Sequence, residues 1–193
     1  MELAAFISVL LHPFICTTIA FVVLLSHSVI SMPRYLLTIA ISFAATVLIP
    51  AIQVTVMKRH GRTSSLDIPE RENRIRPFIS SIVTYFIALL LLWLVSAPKT
   101  VIILMWAYFF NTIIATTITR FWKISIHAMA LGGVTAALGC AVSAHYFWGI
   151  LLLLPMAYGR IKVKAHNLLQ VITGFSLGFV LTMIHYQILL RIL

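Results

Sequence analysis

Residues 77 to 98 read Pro-Phe-Ile-Ser-Ser-Ile-Val-Thr-Tyr-Phe-Ile-Ala-Leu-Leu-Leu-Leu-Trp-Leu-Val-Ser-Ala-Pro, without one Asp, Glu, Lys or Arg. A helix of about 20 residues, rising ~1.5 Å per residue, covers the ~30 Å hydrocarbon core of a bilayer, so this run predicts one crossing. The same reading extends along the chain. Leu3 to Pro33, Tyr35 to Met57, Thr100 to Thr119, Ile124 to Gly159 and Ala165 to Leu190 are equally free of charge. With 62% hydrophobic and 9% charged residues in 193, the chain cannot clothe a soluble surface. It is therefore expected to be an all-α, polytopic membrane helix bundle, a single integral domain over residues 1–193.

Ile124 to Gly159 is too long for one crossing. Ser143-Ala144-His145, followed by Tyr146, Phe147 and Trp148, predicts an interfacial turn with an aromatic belt inside it. Seven crossings follow, with six as the alternative. The first run is longer than a secretory core and lacks its basic flank, so Met1 to about Ser28 is expected to stay as one span. Cys16 and Cys140 fall inside predicted spans without Cys-x-x-Cys spacing, which supports neither a disulfide framework nor a zinc site. Nothing in the pattern calls for a metal or another cofactor, or for nucleic acid as a partner. The expected partners are the bilayer and a lipid within it, and the expected location is the cell (inner) membrane.

The sequence holds 14 Lys and Arg against four acids. Lys58, Arg59, Arg62, Arg71, Arg74 and Arg76 lie in the polar loop 58–76, Arg120 and Lys123 precede the fifth predicted span, and Arg160, Lys162 and Lys164 precede the last. With seven crossings these all gather on one face. The positive-inside rule accounts for Lys58, Arg59 and Arg62 and places that face in the cytoplasm. It does not account for two histidines in the same company.

One of them, His166, stands six residues after Arg160 in the stretch Arg160 to Gln170. The other, His127, follows Ser125, a natural N-cap. A helix amino terminus presents unsatisfied N–H groups and a partial positive charge, which favour an anion. Histidine, with an ordinary pKa of about 6.5, serves as nucleophile or acid near neutrality. His12, His27, His145 and His185 lie in or beside apolar runs without a partner at ligand spacing, and read as structural or interfacial.

These residues together resemble the type 2 phosphatidic acid phosphatases, the lipid phosphate phosphatase superfamily, whose signature is K-x6-R-P, then P-S-G-H, then S-R-x5-H-x3-D. Ile124-Ser125-Ile126-His127 is similar to the second part, keeping Ser and His. Gly159-Arg160-x5-His166-x3-Gln170 is similar to the third, with Gly for Ser and Gln for Asp. Arg76-Pro77 matches the end of the first part, while Pro69 stands where the family has Lys, so Arg71 or Arg74 would supply that charge.

The resemblance implies metal-independent phosphoryl transfer. His166 would attack phosphorus to form a phosphohistidine, and His127 would protonate the leaving oxygen. Arg160, Arg76 and Arg71 or Arg74, with Ser125, would hold the phosphate. Gln170, one helical turn after His166, can accept a ring N–H but adds no negative charge. Glu70 or Glu72 could approach from the loop instead. The implied substrate is a lipid phosphate whose tails remain in the bilayer: phosphatidic acid, phosphatidylglycerol phosphate, a polyprenyl phosphate or diphosphate, or lipid A. A lipid phosphotransferase using the same histidines, and a catalytically impaired protein that binds or transports a phospholipid, are the alternatives.

Overall fold

A computed structural model describes residues 2–65 and 67–193. The described residues form a helical bundle without strands, with helices α1 (Glu2–Leu10), α2 (Pro13–Ser26), α3 (Met32–Phe43), α4 (Ile49–Arg59), α5 (Ile75–Leu94), α6 (Lys99–Thr119), α7 (Ile126–Ala141), α8 (Leu153–Lys162) and α9 (Leu168–Ile192). Among the described residues, five helical stretches are long and apolar enough to cross a membrane: Glu2–Ser26, Met32–Arg59, Glu72–Leu94, Lys99–Thr119 and Leu168–Ile192. Two shorter helical stretches stand between the last two of these. One is the 16-residue α7, and the other is a 3-10 helix at Ala144–Leu152 running into α8. The outer surface suits hydrocarbon, since Trp93 and Leu94 are 67% and 71% exposed.

Three local rules shape the passes. Pro13 has no N–H, and it forces the residue before it out of the helical region. His12 is accordingly extended (φ −64°, ψ 142°) and caps α2 through its side chain. The first stretch, Glu2–Ser26, is therefore broken at His12 into two helices, and the nine residues of α1, about 14 Å long by rise, pack against α8. In the second pass Pro50 cannot donate to the carbonyl one turn back, and the backbone opens into a π turn at Ala44–Leu48 between α3 and α4. The aromatic turn after α7 forms as expected, with Ser143 capping the 3-10 helix by accepting from the His145 N–H.

The buried heart of the bundle is α7, which runs parallel to α9 across a seam of small residues. A Cβ on Gly178 would overlap the Met129 carbonyl, and one on Gly132 would overlap the Phe175 carbonyl. Only glycine permits backbones this close, as is usual where helices associate in lipid. Gly174 and Gly178 thus do the packing work that their four-residue spacing suggests. Because α7 and α9 are locked in this register, their amino termini are fixed side by side at one end of the molecule.

Candidate functional site

Loop residues 60–65 and 67–71, with loops 120–125 and 163–167, converge at that end, and cross-links between them define the candidate site. The Ser125 N–H donates to the Gln170 carbonyl at 3.3 Å, joining the starts of α7 and α9. Arg74 donates through Nε to the Ile68 carbonyl at 2.7 Å and through Nη1 to the Ile124 carbonyl at 3.2 Å, pinning loop 60–71 against the start of α7. Arg160 Nη1 donates to Asp67 Oδ2 at 2.7 Å, joining α8 to the same loop.

The Arg-x5-His spacing has a local cause. Lys164 adopts a left-handed conformation (φ 56°) that ends α8, and the N–H groups of Ala165 and His166 both turn back to the Arg160 carbonyl, at 3.0 and 3.2 Å. The next residue, Asn167, caps α9 by accepting from the Gln170 N–H, and the Gln170 side chain accepts in return from the Asn167 N–H at 3.2 Å. Such a capping box holds Gln170 rigidly. A backbone N–H can only donate, so the Gln170 atom facing it is the carbonyl oxygen Oε1. That same oxygen lies 3.0 Å from His166 Nδ1. Nδ1 must then carry the ring proton, which leaves the lone pair on His166 Nε2.

His166 faces a cavity of about 190 Å³ together with His127, Arg160, Arg74, Asp67 and His12. Burial, then the Arg74 guanidinium, lowers the His166 pKa to about 3 despite the opposing Gln170 hydrogen bond, and Arg160 and Lys123 add to the depression. Its ring is neutral at physiological pH. Lys123 is itself pushed down by burial and by Arg74 and Arg160. Arg160 is 1% exposed, and its Nε has no hydrogen-bond partner among the described residues. A buried guanidinium with a spare donor is an incomplete anion site.

The anion in residence is Asp67. Its Oδ2 is bound to Arg160, while its Oδ1 is 3.6 Å from His127 Nε2 and 3.9 Å from His12 Nε2. Burial alone would raise the pKa of this carboxyl, but His127, Arg160 and His12 outweigh it and hold the group below the ordinary carboxylate range. His12 Nδ1 accepts the Phe14 N–H at 3.2 Å, so its Nε2 is the protonated nitrogen and points a donor toward Asp67.

The ligand atoms of His12, Asp67 and His127 lie within 4.8 Å of one another, a spacing at which three such groups can hold a metal. Their chemistry argues against one. Metal ligation needs the lone pair on His12 Nε2, whereas the Phe14 bond puts the proton there, and Arg160 Nη1 stands a fixed cation 3.5 Å from His127 Nε2. N–H donors and cations around one carboxylate suit an exchangeable anion.

Of the residues expected at the site, His127, His166, Arg160 and Arg74 line the cavity, and Gln170 buttresses His166 from behind. Arg74 rather than Arg71 turns inward. Arg71 pairs instead with its exposed neighbour Glu72 at 3.1 Å, and Arg76 is exposed and does not line the cavity. Ser125 is fully buried and caps α7, its Oγ accepting the Ala128 N–H at 3.4 Å, so it shapes the cradle without lining it. Of the loop acids, it is Asp67 that approaches the histidines, in place of the expected Glu70 or Glu72. His12, read from sequence as structural, sits beside His127 with ring centroids 5.0 Å apart. The Leu11-His12-Pro13 break was the available signal for it, because a proline there ends the helix and frees the histidine.

No protein-family model matches the chain, and neither a curated protein nor a solved structure shows significant similarity to it.

Proposed function

We propose that this protein is a lipid phosphate phosphatase of the inner cell membrane, working through a phosphohistidine at His166. The observation that carries the reading is the tautomer of His166: Gln170 Oε1 is fixed by the Asn167 N–H and takes the Nδ1 proton, so the Nε2 lone pair is free beside two arginines. A neutral imidazole beside guanidinium donors is the pairing that attack on a phosphate ester requires.

In this reaction the substrate phosphate exchanges for the Asp67 carboxylate and takes up the spare Arg160 donor. His166 Nε2 forms a bond to phosphorus as the ester P–O bond breaks, and the leaving oxygen takes a proton from His127. Water then attacks phosphorus as the P–N bond breaks, giving its proton to His127 and restoring both rings. Arg160 and Arg74 neutralise the charge on the equatorial oxygens throughout. Because Gln170 adds no charge to the imidazolium side of this cycle, turnover is slower than with a carboxylate at that position.

The test is phosphate release from a panel of lipid phosphates, with the protein examined for an acid-labile label after radioactive substrate. Release and labelling that both vanish in His166→Ala support the reading. Release that persists in that variant removes His166 as nucleophile. Transfer of the label to an added lipid alcohol instead of water would favour a phosphotransferase. Tight binding without release from any member would favour a phospholipid-binding or transport role, to which the uncharged Gln170 and the resident Asp67 lend their support.

A further inference from the structure

The cavity does not end at the phosphate cradle. Along α6 it is lined by Leu104, Ala107, Tyr108, Asn111, Thr112 and Ala115, one unbroken helical face. Eleven residue rises make this face about 16 Å deep. That is about half of the ~30 Å hydrocarbon core, the depth of one leaflet. Helices α2, α5 and α7 supply further walls through Phe14, Phe78 and Met129, and the π turn contributes Thr46.

The polar side chains in these walls are largely satisfied within the protein. Thr17 and Tyr108 bond to each other at 3.0 Å, Asn111 donates to Thr182 at 3.0 Å, and Thr46 and Thr112 donate to carbonyls one turn back, each at 2.7 Å. Asn111 Oδ1 is the exception, buried without a partner among the described residues, and apart from it the walls ask little more of an occupant than carbon. At one end stand cations and N–H donors, and at the other stands Leu104. The natural occupant is a molecule with the same division, a phosphate bearing a hydrocarbon chain.

We infer that the bundle takes one alkyl or isoprenyl chain of the phosphate-bearing substrate into its interior, with the phosphate on Arg160 and the chain running along α6 toward Leu104. This deepens the phosphatase reading and rests on it for the position of the phosphate. It departs from the expectation that the tails stay in the bilayer. Volume sets the limit. A dry cavity of ~150 Å³ takes benzene, so 190 Å³ shared with the phosphate takes one chain of about six carbons and has no room for two.

The experiment uses the whole protein in lipid nanodiscs and alkylphosphonates, which bind without being hydrolysed, from butyl to dodecyl. Thermal stabilisation reads the affinity. Affinity is expected to rise about fourfold per methylene up to about hexyl and then level off. Leu104→Ala, which deepens the floor, moves the levelling point to longer chains, and Ala107→Leu, which narrows the passage, moves it to shorter ones. Partition into the nanodisc is the same for all three proteins, so it cannot produce these opposite shifts. Identical chain-length curves in the wild type and both variants, or a two-chain phosphonate binding far better than its single-chain counterpart, overturn the inference. Release of phosphate from hexyl phosphate is followed in parallel. Shifts without release leave the chamber standing and remove the phosphatase, while release with identical curves does the reverse.

Discussion

Replacing Asp67 with Asn should make the protein less stable and at the same time a better binder of phosphate. Asp67 is the counter-ion of Arg160, with Oδ2 at 2.7 Å from Nη1, and the guanidinium is 1% exposed while the carboxylate side chain is 32% exposed. A hydrogen bond to a charged group contributes ~1.5–3 kcal/mol, and with one partner partly in water a value near 2 kcal/mol is appropriate. Loss of that amount should lower the melting temperature of a chain this size by about 4–8 °C. Any anion entering the wild-type cradle must displace this carboxylate, and in Asp67→Asn it need not. The same ~2 kcal/mol then appears as roughly thirtyfold tighter phosphate binding. Calorimetric titration of inorganic phosphate into both proteins, with melting followed at each concentration, measures both effects. Phosphate should restore more stability to the variant than to the wild type. Equal or weaker phosphate binding by Asp67→Asn would refute the reasoning, because it would mean that Asp67 helps to build the anion site instead of occupying it.

Other substitutions probe the remaining parts of the argument. His166 has a folded-state pKa of about 3, below its unfolded value of about 6.5. As pH falls below 6.5 the unfolded chain takes a proton that the folded one refuses, so stability is lost at about 1.4 kcal/mol per pH unit down to pH 3. His166→Gln should flatten the fall of melting temperature over that interval, and an unchanged slope would count against a buried neutral imidazole. Gln170→Glu keeps the reach of Oε1 to His166 and the Asn167 N–H while adding the missing charge. Phosphate release should rise by an order of magnitude or so, and unchanged or reduced release from a folded variant would go against the assigned role of this side chain. Gly178→Ala sets a methyl against the Met129 carbonyl, and overpacking of this kind costs ~1–3 kcal/mol. Thermal unfolding that matches the wild type would show that the α7 and α9 seam has slack.

The site was partly legible before the fold because its spacings are local. Arg160 and His166 are joined by one turn through the Arg160 carbonyl, and His166 and Gln170 by the bond from Nδ1 to Oε1, so six and four residues of separation describe real contacts. Arg74, Arg71 and Arg76 could not be told apart that way. Which one points inward depends on the Ile68 and Ile124 carbonyls, the second of them 50 residues away. Asp67 and His12 stayed hidden for the same reason, their partners lying 93 residues from Asp67 on α8 and across the bundle from His12 on α7.

What the sequence determined by itself is the membrane helical bundle, since charge-free runs of crossing length admit no other way to satisfy their backbone groups in hydrocarbon. It also held the local contacts of His166 with Arg160 and Gln170, which follow from separations of six and four residues. Only the tertiary structure decided where the first and second stretches bend, which arginine and which acid meet beside the histidines, and that the cavity there extends along α6. Those features depend on backbones brought together at Gly132 and Gly178, and on loops folded over the helix ends they cap. Such contacts between distant residues leave no period or spacing in the chain.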